Sequence, residues 1–420
     1  MRDHEGGPGH GERRLSTQEA AEVLGVKPAT VYAYVSRGRL SSRRAPGGRG
    51  STLDAREVEA LARRGRREGG GDAGSGADLS VRTRLTLIDQ DRYYFRGTDA
   101  TELAVRHSYE EVAEWLWTGR PRPGAVFTAP GPSVEAARRA VEALPGHSGP
   151  VDRLRVAAVA ASVTDPLRFD LSEEAVLGTA RSLIPTLVAA LPAKDPKGPP
   201  VDDGPLAGRL WARLSGRAPG PAQLRALDTA LGLLADHDLA ASTLAVRVAA
   251  SARAHPYAAV SAGLGVIEGT LHGAACGGAH RLLLGVLDAG HATPVIAEEL
   301  RAGRRIPGLG HPLYTGEDPR ARALFTLLAD IPEAVPALAA ARDIVATTAR
   351  HTPLHANVDL ALAVLTASGG MQPSAGETIF AVARTAGWIA HALEEYGERP
   401  LRMRPSGHYV GPKPPRPLAE

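Results

Sequence analysis

Scarcity is the first property this chain shows. Among 420 residues there are one cysteine, three methionines and five phenylalanines, and aromatics make up only 4%. The single Cys276 excludes an intramolecular disulfide and suits a reducing compartment, so a cytoplasmic location is expected. A core short of rings must be filled by Ala, Leu and Val, which favours close helix packing. Lysine is nearly missing as well: Lys27, Lys194, Lys197 and Lys413 are the only four, and arginine carries almost all positive charge. The opening MRDHEGGPGHGERR lacks the apolar stretch of a secretory signal, and no apolar run is long enough to span a bilayer. No membrane partner is expected.

What is present is unevenly placed. Net charge is +3, yet Arg37, Arg39, Arg43, Arg44, Arg49, Arg56, Arg63, Arg64, Arg66 and Arg67 crowd one short stretch. Such a block is the footprint of a polyanion-binding surface or of a solvated face, and charge alone does not choose. Around it the chain is punctuated. Residues 1–14 form a glycine-rich lead expected to be disordered. Ser16 and Glu19 make a capping box before Ala20, Ala21, Val23 and Leu24. Gly25 ends that helix, and Pro28 opens a second through Thr30, Val31, Tyr32, Tyr34 and Val35. RAPGGRGS supplies a basic glycine loop, and Asp54 and Glu57 cap a third helix through Leu61. Residues 15–66 thus resemble the winged helix-turn-helix domains of the MerR and excisionase type. That resemblance implies DNA binding through Thr30, Tyr32, Arg37, Arg39, Arg43, Arg44 and Arg49. Residues 67–78, rich in glycine and charge, read as a linker.

From residue 79 to 420 helical patterns alternate with short Pro/Gly connections. RLTLIDQDRYYFRG is the exception and predicts a small hairpin. Helices are expected near 109–117, 134–144, 151–163, 173–191, 204–214, 221–236, 240–254 and 257–269. Others follow near 279–289, 294–301, 319–328, 335–349, 358–367 and 376–397. The fold class is mainly α.

Three segments carry the chemistry. In TLHGAACGGAH, His272 is expected at a helix start, where the dipole would keep its ring neutral and able to donate to a forming enolate. Cys276 reads as a small buried thiol, and His280 is expected on the outer face. In IPGLGHPLYTGEDPR, the stiff loop of Pro307, Gly308, Leu309 and Gly310 presents His311, and Asp318-Pro319 restarts a helix bearing Arg320. A histidine beside an arginine suits a keto-acid, one polarising the carbonyl and the other clamping a carboxylate. In HTPLHANVDLALAVL, Asp359 opens a strongly apolar helix, where burial would raise its pKa toward that of a working base. Taken singly, each segment also has an ordinary structural reading. His351 and His355 have metal-like spacing, but Pro353 lies between them and no third ligand stands out, so no metal is expected. Arg384 in AVARTAGWIAHALEEYG looks turned inward, whereas His237 in ADHDLAAST and Arg404 in RMRPSGHYVGP have bland readings alone.

Together these segments resemble the citrate synthase family over about four-fifths of the chain. FRGTDATELAVRHSYEEVAEWLWTGRPR, ADHDLAAST, HPYAAVSAGLGVIEGTLHGAACGGA, GLGHPLYTGEDPRA, NVD, ART-x-GW and the late RP occur in the family's order. The resemblance implies a two-domain helical fold with a large domain and a small mobile one, roughly 240–345. It implies His272, His311 and Asp359 as catalytic groups, and His237, Arg320, Arg384 and Arg404 as oxaloacetate-binding, Arg404 reaching a neighbouring subunit's site. Pro307–Gly310 would contact CoA through its backbone. The implied substrates are acetyl-CoA or propionyl-CoA with oxaloacetate, with no cofactor beyond the CoA thioester, in a homodimer or higher oligomer. Ala240 and Pro312 stand where many relatives carry Asn and Arg, and Ser406 replaces a frequent second arginine, so the acyl donor stays open. A DNA-binding regulator that uses the synthase body as a sensor is the alternative.

Overall fold

Apolar residues spaced for one face of a helix dominate the chain, and the folded protein is accordingly built of helices with two small sheets. The computed structural model describes residues 14–24, 26, 30–31, 34–35, 40–44, 51–58, 81–195, 203–269, 272–273, 275–405 and 409–412. Contacts divide the chain into two units, Met1–Val81 and Arg82–Glu420.

In the first unit, β1 (Arg14–Ser16) leads into α1 (Thr17–Leu24), and β2 (Ser42–Arg44) and β3 (Ser51–Asp54) follow. Ser16 Oγ accepts the Glu19 amide at 3.2 Å, and Glu19 Oε2 accepts the Ser16 amide at 2.7 Å, so the expected capping box starts α1. The sheet runs β1-β3-β2, all antiparallel, with Leu15 opposite Leu53 and Arg43 opposite Thr52. β2 and β3 flank the basic glycine loop as the arms of a wing. Residues 30–31, 34–35 and 55–58 are helical. Leu15, Ala20, Ala21, Val31, Leu53 and Val58 form this unit's own core.

Two details differ from expectation. Arg14, assigned to the lead, already pairs with Asp54 in the sheet. Asp54 caps the third helix by accepting the Arg56 amide, but Glu57 instead accepts the amide and hydroxyl of Ser41, tying the helix to the strand connection. Among the residues singled out for DNA, Thr30 is half-buried in a helix and Arg43 and Arg44 lie in β2. Tyr32, Arg37, Arg39 and Arg49 fall outside the described residues, as do 1–13 and 67–78.

The second unit opens with β4 (Thr86–Asp89), β5 (Arg92–Phe95) and β6 (Thr98–Asp99), an antiparallel sheet in sequence order. Gln90 and Asp91, at φ 48° and 59°, form the tight turn between β4 and β5. Then come α2 (Ala100–Arg106), α3 (Tyr109–Thr118), α4 (Gly131–Glu142), α5 (Pro150–Ser162), α6 (Glu173–Ala190), α7 (Leu206–Leu214) and α8 (Pro221–Leu234). After these follow α9 (Ala241–Ser251), α10 (Pro256–Ile267), α11 (Ala275–Ala289), α12 (Ala292–Arg301), α13 (Pro319–Leu328), α14 (Val335–Ala349), α15 (Val358–Ser368) and α16 (Ala375–Tyr396). Among the described residues no single helix is long and apolar enough to cross a membrane.

Boundaries moved where local chemistry overrides periodicity. α8 stops at Leu234, freeing Asp236 and His237 from helical geometry. α9 stops at Ser251 because His255 caps α10 and Pro256 occupies its first turn.

α16 is the axis on which the rest packs. Ile379, Val382, Ala383, Ala386 and Ile389 are all buried, and the Tyr109 hydroxyl and Trp117 indole donate to its carbonyls. Where it passes the end of α8 it carries Gly387, whose amide donates to Ala235 O at 2.9 Å. A Cβ there would lie 2.4 Å from Ala235 O and 2.5 Å from Asp236 Oδ1. The C-terminal segment is tied back to the same helix by Arg402, which donates to both carboxylate oxygens of Glu395 at 2.7 and 2.6 Å. Arg247 donates to Glu395 from the other side, and both of these residues are buried.

Gly387→Ala should therefore push α16 off the 235–237 segment. Urea unfolding is expected to show a loss of about 1–3 kcal/mol, the usual penalty of overpacking; unchanged stability would show that the crossing can relax.

Candidate active site

Seven segments converge on one place. The segment leaving α8 supplies His237, α9 supplies Ser242, and the turn between α10 and α11 supplies His272. The loop before α13 carries His311 and Tyr314, and the starts of α13 and α15 carry Arg320 and Asp359. Phe380 and Arg384 of α16 close the set.

His272 sits in a tight turn, its amide bonded to Gly269 O at 2.8 Å, three residues before α11 begins. It is therefore not at the helix start, and the cause of its neutrality is different. Burial and the nearby Arg384 lower its pKa to about 4. Its Nε2 lies 2.8 Å from Ser242 Oγ. The Trp388 indole donates to the same Oγ at 3.4 Å, and a Ser242 hydroxyl that donates to Nε2 keeps the ring's own proton on Nδ1. The His272 ring is edge-on to Phe380, 6.2 Å between centroids.

His311 is held by its loop. Its Nδ1 accepts the Leu313 amide at 3.1 Å, so a neutral ring carries its proton on Nε2. Burial and Arg320 lower its pKa to about 4 as well. His237 is buried, 5.2 Å from His311 between ring centroids, and its Nε2 meets Tyr314 Oη at 2.7 Å. Burial, Arg320, Arg384 and His311 all disfavour its cationic form.

The two arginines are buried cations with different partners. Arg320 donates through Nε and Nη2 to both oxygens of Asp318, at 3.0 and 2.8 Å, and lies over the Tyr314 ring. Burial opposes its charge, but Asp318 outweighs burial and raises its pKa. Arg384 donates Nε to Leu234 O at 2.9 Å and stacks on Phe380 at 4.7 Å. Its buried Nη2 has no hydrogen-bond partner, and burial lowers its pKa to about 10. An unsatisfied guanidinium nitrogen among neutral histidines is a seat for a carboxylate.

Asp359 is half-buried at the start of α15, its amide capped by Asn357 Oδ1. Burial raises its pKa, while the Cys276 thiol, which donates to Oδ1 at 2.7 Å, partly offsets the rise. Oδ2 is left for another proton.

The loop expected to meet CoA is stitched to the strand-like segment before Asp359. Gly310 N donates to His355 O at 2.8 Å, Asn357 N to Gly308 O at 2.9 Å, and Asn357 Nδ2 to Gly310 O at 2.9 Å. The Gly310 amide is therefore committed and not open to a ligand. Gly308 adopts φ +85°, and a Cβ there would lie 2.9 Å from Leu360 Cβ. Packing accounts for that glycine.

The structure brings His237, His272, His311, Arg320, Asp359 and Arg384 to this region and leaves Arg404 exposed on its own chain. His280, expected outside, is buried and paired with Thr366 Oγ1 at 2.7 Å, because the helix turns that face onto α15. Sequence reasoning missed Ser242, Tyr314, the bonding role of Cys276 and the clamp role of Asp318. Tyr314 lay three residues past His311 and Asp318 beside Arg320, so both had a signal in the same loop. Ser242 had none, since only the turn of α9 toward residue 272 makes it a partner. Among the described residues no group of His, Cys, Asp or Glu could hold a metal ion.

Comparisons with known proteins give the family of each part of the chain. The family model for Citrate synthase, C-terminal domain, matches residues 77–406, and that for Helix-turn-helix domain matches residues 14–66. Citrate synthase 2 of Bacillus subtilis is 30% identical over 355 residues, covering 80% of this chain and 94% of its own. Citrate synthase of Haloferax volcanii is 31% identical over 359 residues, with the same coverage. A 2-methylcitrate synthase of Mycobacterium tuberculosis is 27% identical over 333 residues, covering 76% of this chain and 84% of its own. Among solved structures, citrate synthase from Pyrobaculum aerophilum superposes with a TM-score of 0.69 at 25% identity, covering 81% of this chain and 93% of that one. The Thermoplasma acidophilum citrate synthase, in ternary complex with carboxymethyl coenzyme A and oxaloacetate, shares the fold at a TM-score of 0.66, with 23% identity and coverage of 81% and 97%.

The lowered histidines have a consequence for stability. His272 and His311 titrate near 6.5 in the unfolded chain and about 4 in the folded one. Between those values the unfolded chain holds more protons, so stability falls as pH drops through that window. Melting followed by circular dichroism should show a decline in Tm from about 6.5 toward about 4. The decline should be shallower in His272→Asn, and an equal slope in that variant would contradict the assignment.

Proposed function

The chain belongs to the citrate synthase family, and from that premise we propose that it condenses acetyl-CoA with oxaloacetate to give citrate and CoA. The observation that carries the reading is Arg384 Nη2, buried and unpartnered beside three neutral histidines and a second buried arginine. That arrangement suits a dianionic keto-acid better than a neutral ligand.

The reaction follows from the donors available. Asp359, its pKa raised by burial, takes a proton from the acyl methyl group through Oδ2. His272, with its proton on Nδ1, donates to the thioester oxygen as the enol forms, and being neutral it matches a weakly acidic partner. His311 donates from Nε2 to the ketone oxygen of oxaloacetate. The enol carbon attacks the ketone carbon, and His311 passes its proton to the new alkoxide. Water then cleaves the citryl thioester and releases CoA. His237, Arg320 and Arg384 hold the carboxylates, joined by Arg404 from a neighbouring subunit. Both carbonyl oxygens are met by N–H donors, so no step requires a cofactor. The Pro307–Gly310 loop meets CoA through groups other than the Gly310 amide.

Assembly as a homodimer is supported by an exposed apolar groove of about 670 Å³, to which Val159 of α5 and Val163 just past its end contribute exposed side chains together with Leu144 and Val156. In the first unit, the helix-turn-helix domain and its arginine-rich wing support binding to DNA as a second activity of the same chain. The single thiol supports a cytoplasmic setting.

Thiol release from acetyl-CoA and propionyl-CoA, each with oxaloacetate, tests the enzyme. Release should require oxaloacetate, fall on the order of 10²–10⁴-fold in Asp359→Asn, and show a raised KM for oxaloacetate in Arg384→Gln. The faster donor names the product as citrate or 2-methylcitrate. Folded protein that binds CoA but releases no thiol with either donor would favour the sensor reading instead.

DNA binding has its own check. Replacing Arg43, Arg44 and Arg49 by alanine should weaken binding and reduce the slope of log K against log salt by about 0.9 for each phosphate no longer neutralised. Any association that persists with an unchanged slope would assign this unit to protein contacts.

A further inference from the structure

The tip of the β4–β5 hairpin touches none of the reacting groups, yet it grips the loop that carries them. Asp91 Oδ1 accepts the Thr315 amide at 2.7 Å, and Oδ2 accepts the Thr315 hydroxyl at 2.9 Å and the Gly316 amide at 3.0 Å. These bonds join residues 224 and 225 positions apart in the chain. Thr315 and Gly316 directly follow Tyr314, the residue around which the keto-acid groups are arranged. The Tyr314 ring lies 4.8 Å from His311 and 5.6 Å from His237, its hydroxyl meets His237 Nε2, and the Arg320 guanidinium lies 5.6 Å above its face.

The clasp has the features of a positioning device. Gln90 and Asp91 both hold left-handed backbone angles, and Asp89 pairs with Arg92 across the turn, so the carboxylate is presented from a closed two-residue tip. A carboxylate accepting backbone amides makes strong, directional bonds. Gly316 leaves room for it, since a Cβ there would come within 3.0 Å of Asp91 Oδ2. Thr315 is exposed. Without Asp91 its donors would turn to water at small cost to folding, so the clasp restrains geometry and does not rescue buried groups.

We propose that Asp91 is a positioning residue for the keto-acid site: by clasping Thr315 and Gly316 it fixes Tyr314, and through Tyr314 the facing of His237 and His311. The inference rests on the synthase reading above and adds to it a determinant of oxaloacetate affinity outside the pocket.

The test uses the full-length protein, with calorimetric titration of oxaloacetate and steady-state kinetics in each substrate. In Asp91→Ala, a loosened Tyr314 should weaken oxaloacetate binding and raise its KM on the order of tenfold, with the KM for acetyl-CoA and the Tm almost unchanged. Asp91→Asn keeps one acceptor and should fall between wild type and alanine. Thr315→Val keeps both amide bonds and should show the smallest effect. Hydrogen exchange at residues 315 and 316 should accelerate in Asp91→Ala. Oxaloacetate bound as tightly by Asp91→Ala as by wild type overturns the clasp alone. Equal losses for both substrates together with a lowered Tm overturn it too, in favour of general support. Wild type that binds no oxaloacetate overturns the synthase reading and this inference with it, a result the first titration separates from the others.

Discussion

One buried carboxylate, Asp318, ties Arg320 to the start of the helix that carries Asp359. It caps α13 by accepting the Arg320 amide at 3.0 Å, grips the Arg320 guanidinium with both oxygens, and accepts the Val358 amide at 3.0 Å. Val358 is the residue before Asp359. A single side chain thus sets the angle of the arginine over the Tyr314 ring and the start of the helix that carries Asp359. Burial opposes its ionisation, but Arg320 and these hydrogen bonds prevail and keep its pKa low. Removing it would strand a buried cation and two backbone amides together.

Around that node the protein gathers cations and keeps its imidazoles neutral. Arg320 and Arg384 lie close enough to each other's surroundings that both disfavour the charged form of His237. Burial does the same for His272 and His311. The outcome is a pocket whose fixed positive charge comes from guanidinium groups, which do not titrate near neutrality, while the histidines remain donors of modest acidity. Enol chemistry needs that division, since an imidazolium beside the base would suppress its basicity and hold the thioester oxygen too strongly to release it.

The front unit solves a separate physical problem with separate means. Among the described residues its core is a cluster of aliphatic side chains against three short strands, joined by local ties such as the Ser16–Glu19 box and the Glu57–Ser41 bonds. Its charge, crowded into one arginine-rich stretch, is suited to a polyanion, whereas the arginines of the larger body are mostly paired or buried. Fusing the two puts a helix-turn-helix domain and a citrate synthase domain on one chain.

Much of this was legible before any coordinates. Helix starts announced themselves through Ser, Asp and Pro caps, as at Asp318-Pro319, and the hairpin through the alternation of Leu85, Leu87 and Tyr93 with polar residues. The order of His237, His272, His311, Arg320, Asp359 and Arg384 along the chain was enough to pick out residues that the fold gathers in one region, because local sequence positions most of them at a cap or loop. Tertiary structure decided who touches whom. Ser242 on His272, Cys276 on Asp359, Tyr314 on His237 and Asp91 on Thr315 are contacts between segments far apart in the chain, set by helix crossings such as Gly387 against Ala235. Periodicity says which face of a helix is apolar, but a hydrogen bond depends on the distance and angle between two elements, and only close packing of the whole core fixes those.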